Sequence, residues 1–121
     1  MAKYSYVVLT KKTPDGDEEA LHDWYDTQHL KDCVAIPGIT AAKRYRLLHR
    51  IAPGGVVADS EYQSLAIYEM ETDDPDAVAR ELSRRAGTEV MPLSPSLDRK
   101  VSLMHVAVAA TSIPPDGSDA E

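Results

Sequence analysis

The stretch from Asp17 to Gly38 constrains this chain more than any other. Its apolar and aromatic residues recur at helical spacing, acids open it, and Pro37-Gly38 closes it. The helix starts near Asp15 or Asp17, with Glu18 and Glu19 in the first turn, where the helix dipole favours acids. Ala20, Leu21, Trp24, Tyr25 and Gln28 fall close to one stripe. His22, Tyr25, His29, Asp32 and Cys33 fall on the adjoining one. Thr27-Gln28 marks a break or kink.

Strand-like segments stand on either side. Residues 3–10 are rich in aromatic and β-branched types, and Thr13-Pro14-Asp15-Gly16 is a turn signal. Residues 39–49 read as the second strand, with Thr40, Ala42, Arg44, Arg46 and Leu48 on one face. Pro53-Gly54-Gly55 opens a flexible loop running to about Glu61, and residues 62–70 form the third strand. A second helix has Asp74 as N-cap, Pro75 at its first position and Gly87 just past its end. Val78, Ala79, Leu82 and Ala86 continue a buried stripe from Pro75. Pro92 and Pro95 force an irregular connection before a fourth strand at 99–109.

The order β-α-β-β-α-β predicts an α+β, ferredoxin-like sandwich over residues 1–110, its helices covering one face of an antiparallel sheet. Residues 111–121 read as a flexible acidic tail. The uncovered sheet face keeps apolar side chains on strands two and three, so the simplest closure is a second copy packed sheet to sheet. That gives a homodimer with a barrel-like interior.

Composition narrows the partners. A net charge of −7 opposes a phosphate backbone, so nucleic acid is not expected. No apolar run approaches the roughly 20 residues of a membrane span, and the N-terminus lacks a signal peptide's pattern, which predicts a cytoplasmic protein without membrane partners. The single cysteine excludes an intrachain disulfide.

Trp24-Tyr25-x-x-x-His29-Leu30, followed by Ile36-Pro37-Gly38-Ile39-x-x-Ala42-x-Arg44-Tyr45, resembles the EthD-like branch of the dimeric α/β-barrel superfamily. The resemblance covers 3–109 in layout and 24–45 in motif. It implies a homodimer with a ligand cavity between helix and sheet in each subunit, lined by His29. The superfamily includes cofactor-free monooxygenases, isomerases, cyclases, haem-handling proteins and members without an assigned reaction, so the fold does not choose a chemistry.

His29 is the leading candidate for general acid/base work, because imidazole exchanges protons near neutral pH. It could equally cap the helix end. Asp26 and Asp32, each three residues away, could orient it, and Tyr25 shares its flank. Trp24 and Tyr25 offer an aromatic wall for a flat ligand or plain core packing. Tyr6, Tyr68 and His105 lie on strands and line the cavity or pack, according to register. Arg44 and Arg46 could hold a carboxylate or phenolate, or lie on a solvated edge or in an intersubunit ion pair. Cys33 is expected as a small buried hydrophobe. No metal-ligand spacing and no phosphate loop occurs. The resemblance, with His29 in the cavity, makes cofactor-independent turnover of a small molecule, of isomerase, cyclase or monooxygenase type, the expected activity. The alternative is an accessory protein that holds a small apolar or aromatic ligand, or haem, without converting it.

Overall fold

The computed structural model describes residues 2–117; Met1 and residues 118–121, the end of the expected acidic tail, lie outside the described residues. The chain runs β1 (Lys3–Thr10), α1 (Glu18–Trp24), a π-helical segment (Tyr25–His29), α2 (Leu30–Val34), β2 (Ile39–Arg46), β3 (Arg50–Ala52), β4 (Val56–Ala58), β5 (Ser64–Glu71), α3 (Pro75–Arg85) and β6 (Leu103–Ala107). Four strands form one antiparallel sheet in the order β2-β5-β1-β6. β5 separates β1 from β2, the split β-α-β arrangement of a ferredoxin-like α+β fold.

The segment expected as a flexible loop after Pro53 is partly structured. β3 and β4 pair as a hairpin, with Ile51 opposite Val57. Gly54 and Gly55 supply the positive φ values of 85° and 81° that its tip requires, and the β-branched Val56-Val57 pair suits the returning arm. The last strand begins at Leu103 rather than residue 99. Asp98 holds the preceding residues in a turn: its carboxylate accepts from Lys100 N–H, and its carbonyl from the Ser102 hydroxyl.

Helix ends follow local chemistry. Asp17 caps α1 by accepting from the backbone N–H groups of Glu19 and Ala20 at 3.0 and 3.4 Å. Asp74 caps α3 by accepting from Ala77 N–H at 3.0 Å. The π segment falls where Thr27-Gln28 suggested a break. There the Thr27 hydroxyl donates to the Asp23 carbonyl four residues back, at 2.6 Å, competing with the α-helical ladder. Leu30 N–H then reaches Tyr25 O, five residues back. A four-residue repeat drifts by about 40° per step around an ordinary α-helix. The wider π turn reduces that drift, so Leu21, Tyr25, His29 and Cys33 all stay buried against the sheet.

Period-two alternation fixes the sheet faces. Tyr6, Val8 and Thr10 of β1 and Ser64, Ala66, Tyr68 and Met70 of β5 are buried beneath the helices. With Leu21, Tyr25, Cys33, Ile36, Val78, Leu82 and Met91 they make the core. Burying one such leucine contributes about 2 kcal/mol. Gly38, at φ 99°, turns the chain into β2, and a Cβ there would lie 2.9 Å from Val78, so the turn and α3 meet only because the residue is glycine. On the opposite face Val7, Leu9, Leu65 and Ile67 are only half covered, while Tyr45 and Leu103 are exposed.

Candidate functional site

Of the eight residues singled out as site candidates, Tyr6, Tyr25, His29 and Tyr68 meet at a cavity of about 180 Å³. It lies between the helix-facing side of the sheet, the π segment, α3 and the connection leading to β6. Antiparallel register sets Tyr6 directly opposite Tyr68 and brings their rings to 6.4 Å. The π segment delivers Tyr25 and His29 one turn apart, their rings edge to face at 5.3 Å.

His29 is 7% exposed and wedged between aromatic neighbours. Trp24 stacks on its ring at a centroid distance of 4.3 Å and 22°. Nε2 lies 3.5 Å from Cys33 Sγ, while Nδ1 is buried with no hydrogen-bond partner. Burial pulls its pKa down to about 4, against the opposing charge of Asp32, so the ring is neutral near pH 7. The Cys33 thiol is pushed up to about 12 by burial and stays protonated. Cys33 is therefore the buried, unreactive group its position near the helix end suggested.

Tyr68 is 1% exposed, and its hydroxyl, like His29 Nδ1, is buried with no hydrogen bond of good geometry; the Cys33 thiol, a weak partner, is its polar neighbour. Burial raises its pKa well above the ordinary tyrosine value. Tyr25 is pushed up to about 12, again chiefly by burial, and its hydroxyl shares a 2.9 Å hydrogen bond with Thr10. Both phenols are thus neutral proton donors. A buried polar atom without a partner costs roughly 1–3 kcal/mol. Two such atoms on residues lining one cavity leave bonds that a water or a ligand would supply.

Trp24, Asp26, Arg44 and His105 do not line the cavity. Trp24 backs His29 and donates from Nε1 to the Pro92 carbonyl at 3.0 Å. His105 pairs with Val7 in the β1–β6 ladder, which puts it on the uncovered sheet face, away from His29. Asp26 and Arg44 pair with each other at 2.8 Å, so Asp26 is not oriented toward His29. The Arg44 side chain is 5% exposed. It also donates to His22 Nδ1 at 2.9 Å and to Ser64 at 3.3 Å, and its guanidinium sits 5.3 Å from the Tyr25 ring centroid. Its donors are committed inside the fold, so it braces Tyr25 from behind and leaves no free fork for a substrate anion. Arg46 pairs with Glu19 on the surface.

Sequence reasoning passed over His22, which is fully buried between Arg44 and Glu18. Its place on the His29 stripe was the available signal. It also missed Leu82, Ser83, Arg99, Ser102 and Met104 as cavity residues. Arg99 and Ser102 lie in irregular chain, where no periodicity announces which way a side chain points.

Among the described residues no group of three or more His, Cys, Asp or Glu is placed to hold a metal ion, and no helix is long and apolar enough to cross a membrane. No protein-family profile matches the chain, and no curated protein matches its sequence. Solved structures do. An EthD-family protein from Bacillus halodurans superposes over 90% of this chain and 100% of its own, with TM-score 0.52 and 16% identity. An EthD-like protein from Ralstonia eutropha matches over 88% and 91%, with TM-score 0.55 and 13% identity. The chain has the EthD-like fold. A third structure with this fold, described as a candidate monooxygenase from Shewanella loihica, covers 92% of this chain and 97% of its own, with TM-score 0.56 and 13% identity. At such identities the likeness is one of fold, and within the EthD-like framework the chemistry rests on the cavity itself.

Proposed function

We propose that this chain is a cofactor-independent enzyme acting on a small molecule about one ring in size, with His29 exchanging the proton. The observation that carries this reading is that two residues lining one cavity, His29 and Tyr68, each hold a buried polar atom, Nδ1 and Oη, without a well-formed hydrogen bond. A cavity of about 150 Å³ admits benzene, so 180 Å³ suits a single ring with small substituents rather than haem.

The chemistry follows from the charge states. A neutral imidazole accepts a proton from an acidic C–H or O–H of the substrate. The Tyr68 hydroxyl donates to the oxygen on which negative charge develops, in surroundings too dry to screen it. Burial makes His29 a weak base before reaction, but negative charge forming beside it raises its proton affinity. Base and anion stabiliser therefore strengthen together. Enolisation, lactone isomerisation, aldol-type cyclisation and oxygenation of a phenolate all begin with such a proton transfer.

The half-covered face carrying Val7, Leu9, Leu65 and Ile67 supports a second proposal, that two copies pack sheet to sheet. Sedimentation at micromolar concentration should give a dimer, and a monomer there would remove this part of the reading.

Turnover is tested by incubating the protein in air with ring-sized phenols, enols and lactones and following products by mass spectrometry. Conversion of at least one compound, lost in a folded His29→Ala variant, supports the role. An unchanged rate in that variant overturns it. Saturable binding without conversion by the wild type selects a ligand-holding function instead.

A further inference from the structure

The cavity is not uniform along its depth. Tyr68 and His29, deeply buried residues of its lining, hold Oη and Nδ1 without well-formed hydrogen bonds. Apolar side chains, Leu82 and Met104 among them, line its flanks. The exposed Arg99 is the single formally charged residue among its described lining. Arg99 forms no ion pair with any described residue, unlike Arg44, Arg46, Arg84 and Arg85, which all do. Its guanidinium lies over Gly87, just past the end of α3. A Cβ on that glycine would come within 3.2 Å of Nη1, tighter than an ordinary contact. The carbonyl end of the helix also favours a cation there.

The chain as a whole carries −7, so its overall field repels anions, and a cation on the exposed part of this lining is a local complement. A guanidinium with no carboxylate of its own offers a planar fork to one from outside. From these placements we propose that the cavity takes a monocyclic aromatic acid bearing a ring hydroxyl. The carboxylate meets Arg99, the ring fills the apolar middle, and the hydroxyl lies between His29 Nδ1 and Tyr68 Oη. This rests on the preceding assignment of a small-molecule cavity and adds the class of ligand. It also gives the ligand a direction, placing the ionisable hydroxyl at the candidate base.

Calorimetric titration of the full chain with 4-hydroxybenzoate, 4-hydroxybenzamide, benzoate and phenol tests it. The hydroxy acid should bind at least tenfold tighter than its amide. Arg99→Gln, a change at an exposed position, should erase that difference while leaving phenol binding unchanged. Tyr68→Phe should weaken 4-hydroxybenzoate at least fivefold and leave benzoate nearly unaffected. Equal affinity for acid and amide, or full affinity for the acid in Arg99→Gln, overturns the proposal. Phenol binding without any carboxylate preference overturns only the ligand class. Failure of every ring compound to bind overturns the cavity assignment as well.

Discussion

Acidification should cost this protein stability through one side chain, His29. In the unfolded chain its imidazole has its ordinary pKa of 6.5, while burial lowers it to about 4 in the fold. Between these values the unfolded state binds more protons than the native state. Stability therefore rises with pH across this window and falls as pH drops through it. The full loss, reached below about pH 4, is roughly 3 kcal/mol, since each pH unit between the two values is worth about 1.4 kcal/mol. At about pH 4.5 the loss is already about 2.5 kcal/mol, a large fraction of the roughly 5–15 kcal/mol that holds a domain together. Urea unfolding at about pH 7.5 and 4.5, for wild type and His29→Gln, isolates the contribution, because other groups titrate alike in both. The wild type should lose about 2.5 kcal/mol more than the variant. Parallel losses would refute the burial argument, and so would an imidazole NMR titration with its midpoint near 6.5. Glu81, which hydrogen bonds from Arg84 and Arg85 lower from 4.5 to about 2, loses stability in the same direction from about pH 4.5 downward, but it does so alike in wild type and variant and cancels in the comparison.

Other substitutions probe the scaffold. Arg44→Ala strips partners from His22, Ser64 and Asp26 and should cost about 3 kcal/mol in urea unfolding, the low end for breaking a buried pair because Asp26 is half exposed. Arg44→Lys should restore little, since an ammonium cannot serve three partners in that planar geometry. Gly87→Ala forces a φ of 84° on a residue with a Cβ and crowds Arg99, so it should lower stability by about 1–2 kcal/mol. Asp74→Ala removes the cap of α3 and should cost about 1 kcal/mol, read as a lower melting temperature.

Much of the fold was legible because the main elements carry strong local signals. Asp74-Pro75 and Gly87 bound α3, Pro37-Gly38 ends the first helical run, and the β-branched and aromatic strings mark β1 and β5. The hairpin at 50–58 was hidden because glycine-rich tips serve flexible loops and tight turns alike. In the site, the Tyr25–His29 pair was legible because residues four apart share a helical flank. The facing of His105 was not, since one residue of register moves a strand side chain to the other face. Arg44 misled for a different reason. Its composition-level meaning, a cation on the helix-facing side of a strand, is the same whether its fork meets a ligand or Asp26. Arg99 reads in the sequence as the start of the fourth strand, but that strand begins at Leu103 and Arg99 lies in a turn, where no period tells which way a side chain points.

The central claim is that His29 Nδ1 and Tyr68 Oη are left unpaired for a ligand to satisfy. A crystal structure of the protein grown with phenol tests it most directly. The account expects the phenol ring inside the cavity, with its oxygen within about 3 Å of both atoms. Phenol bound only on the outer surface, or a cavity closed by Tyr68 and His29 bonding within the protein, would contradict it.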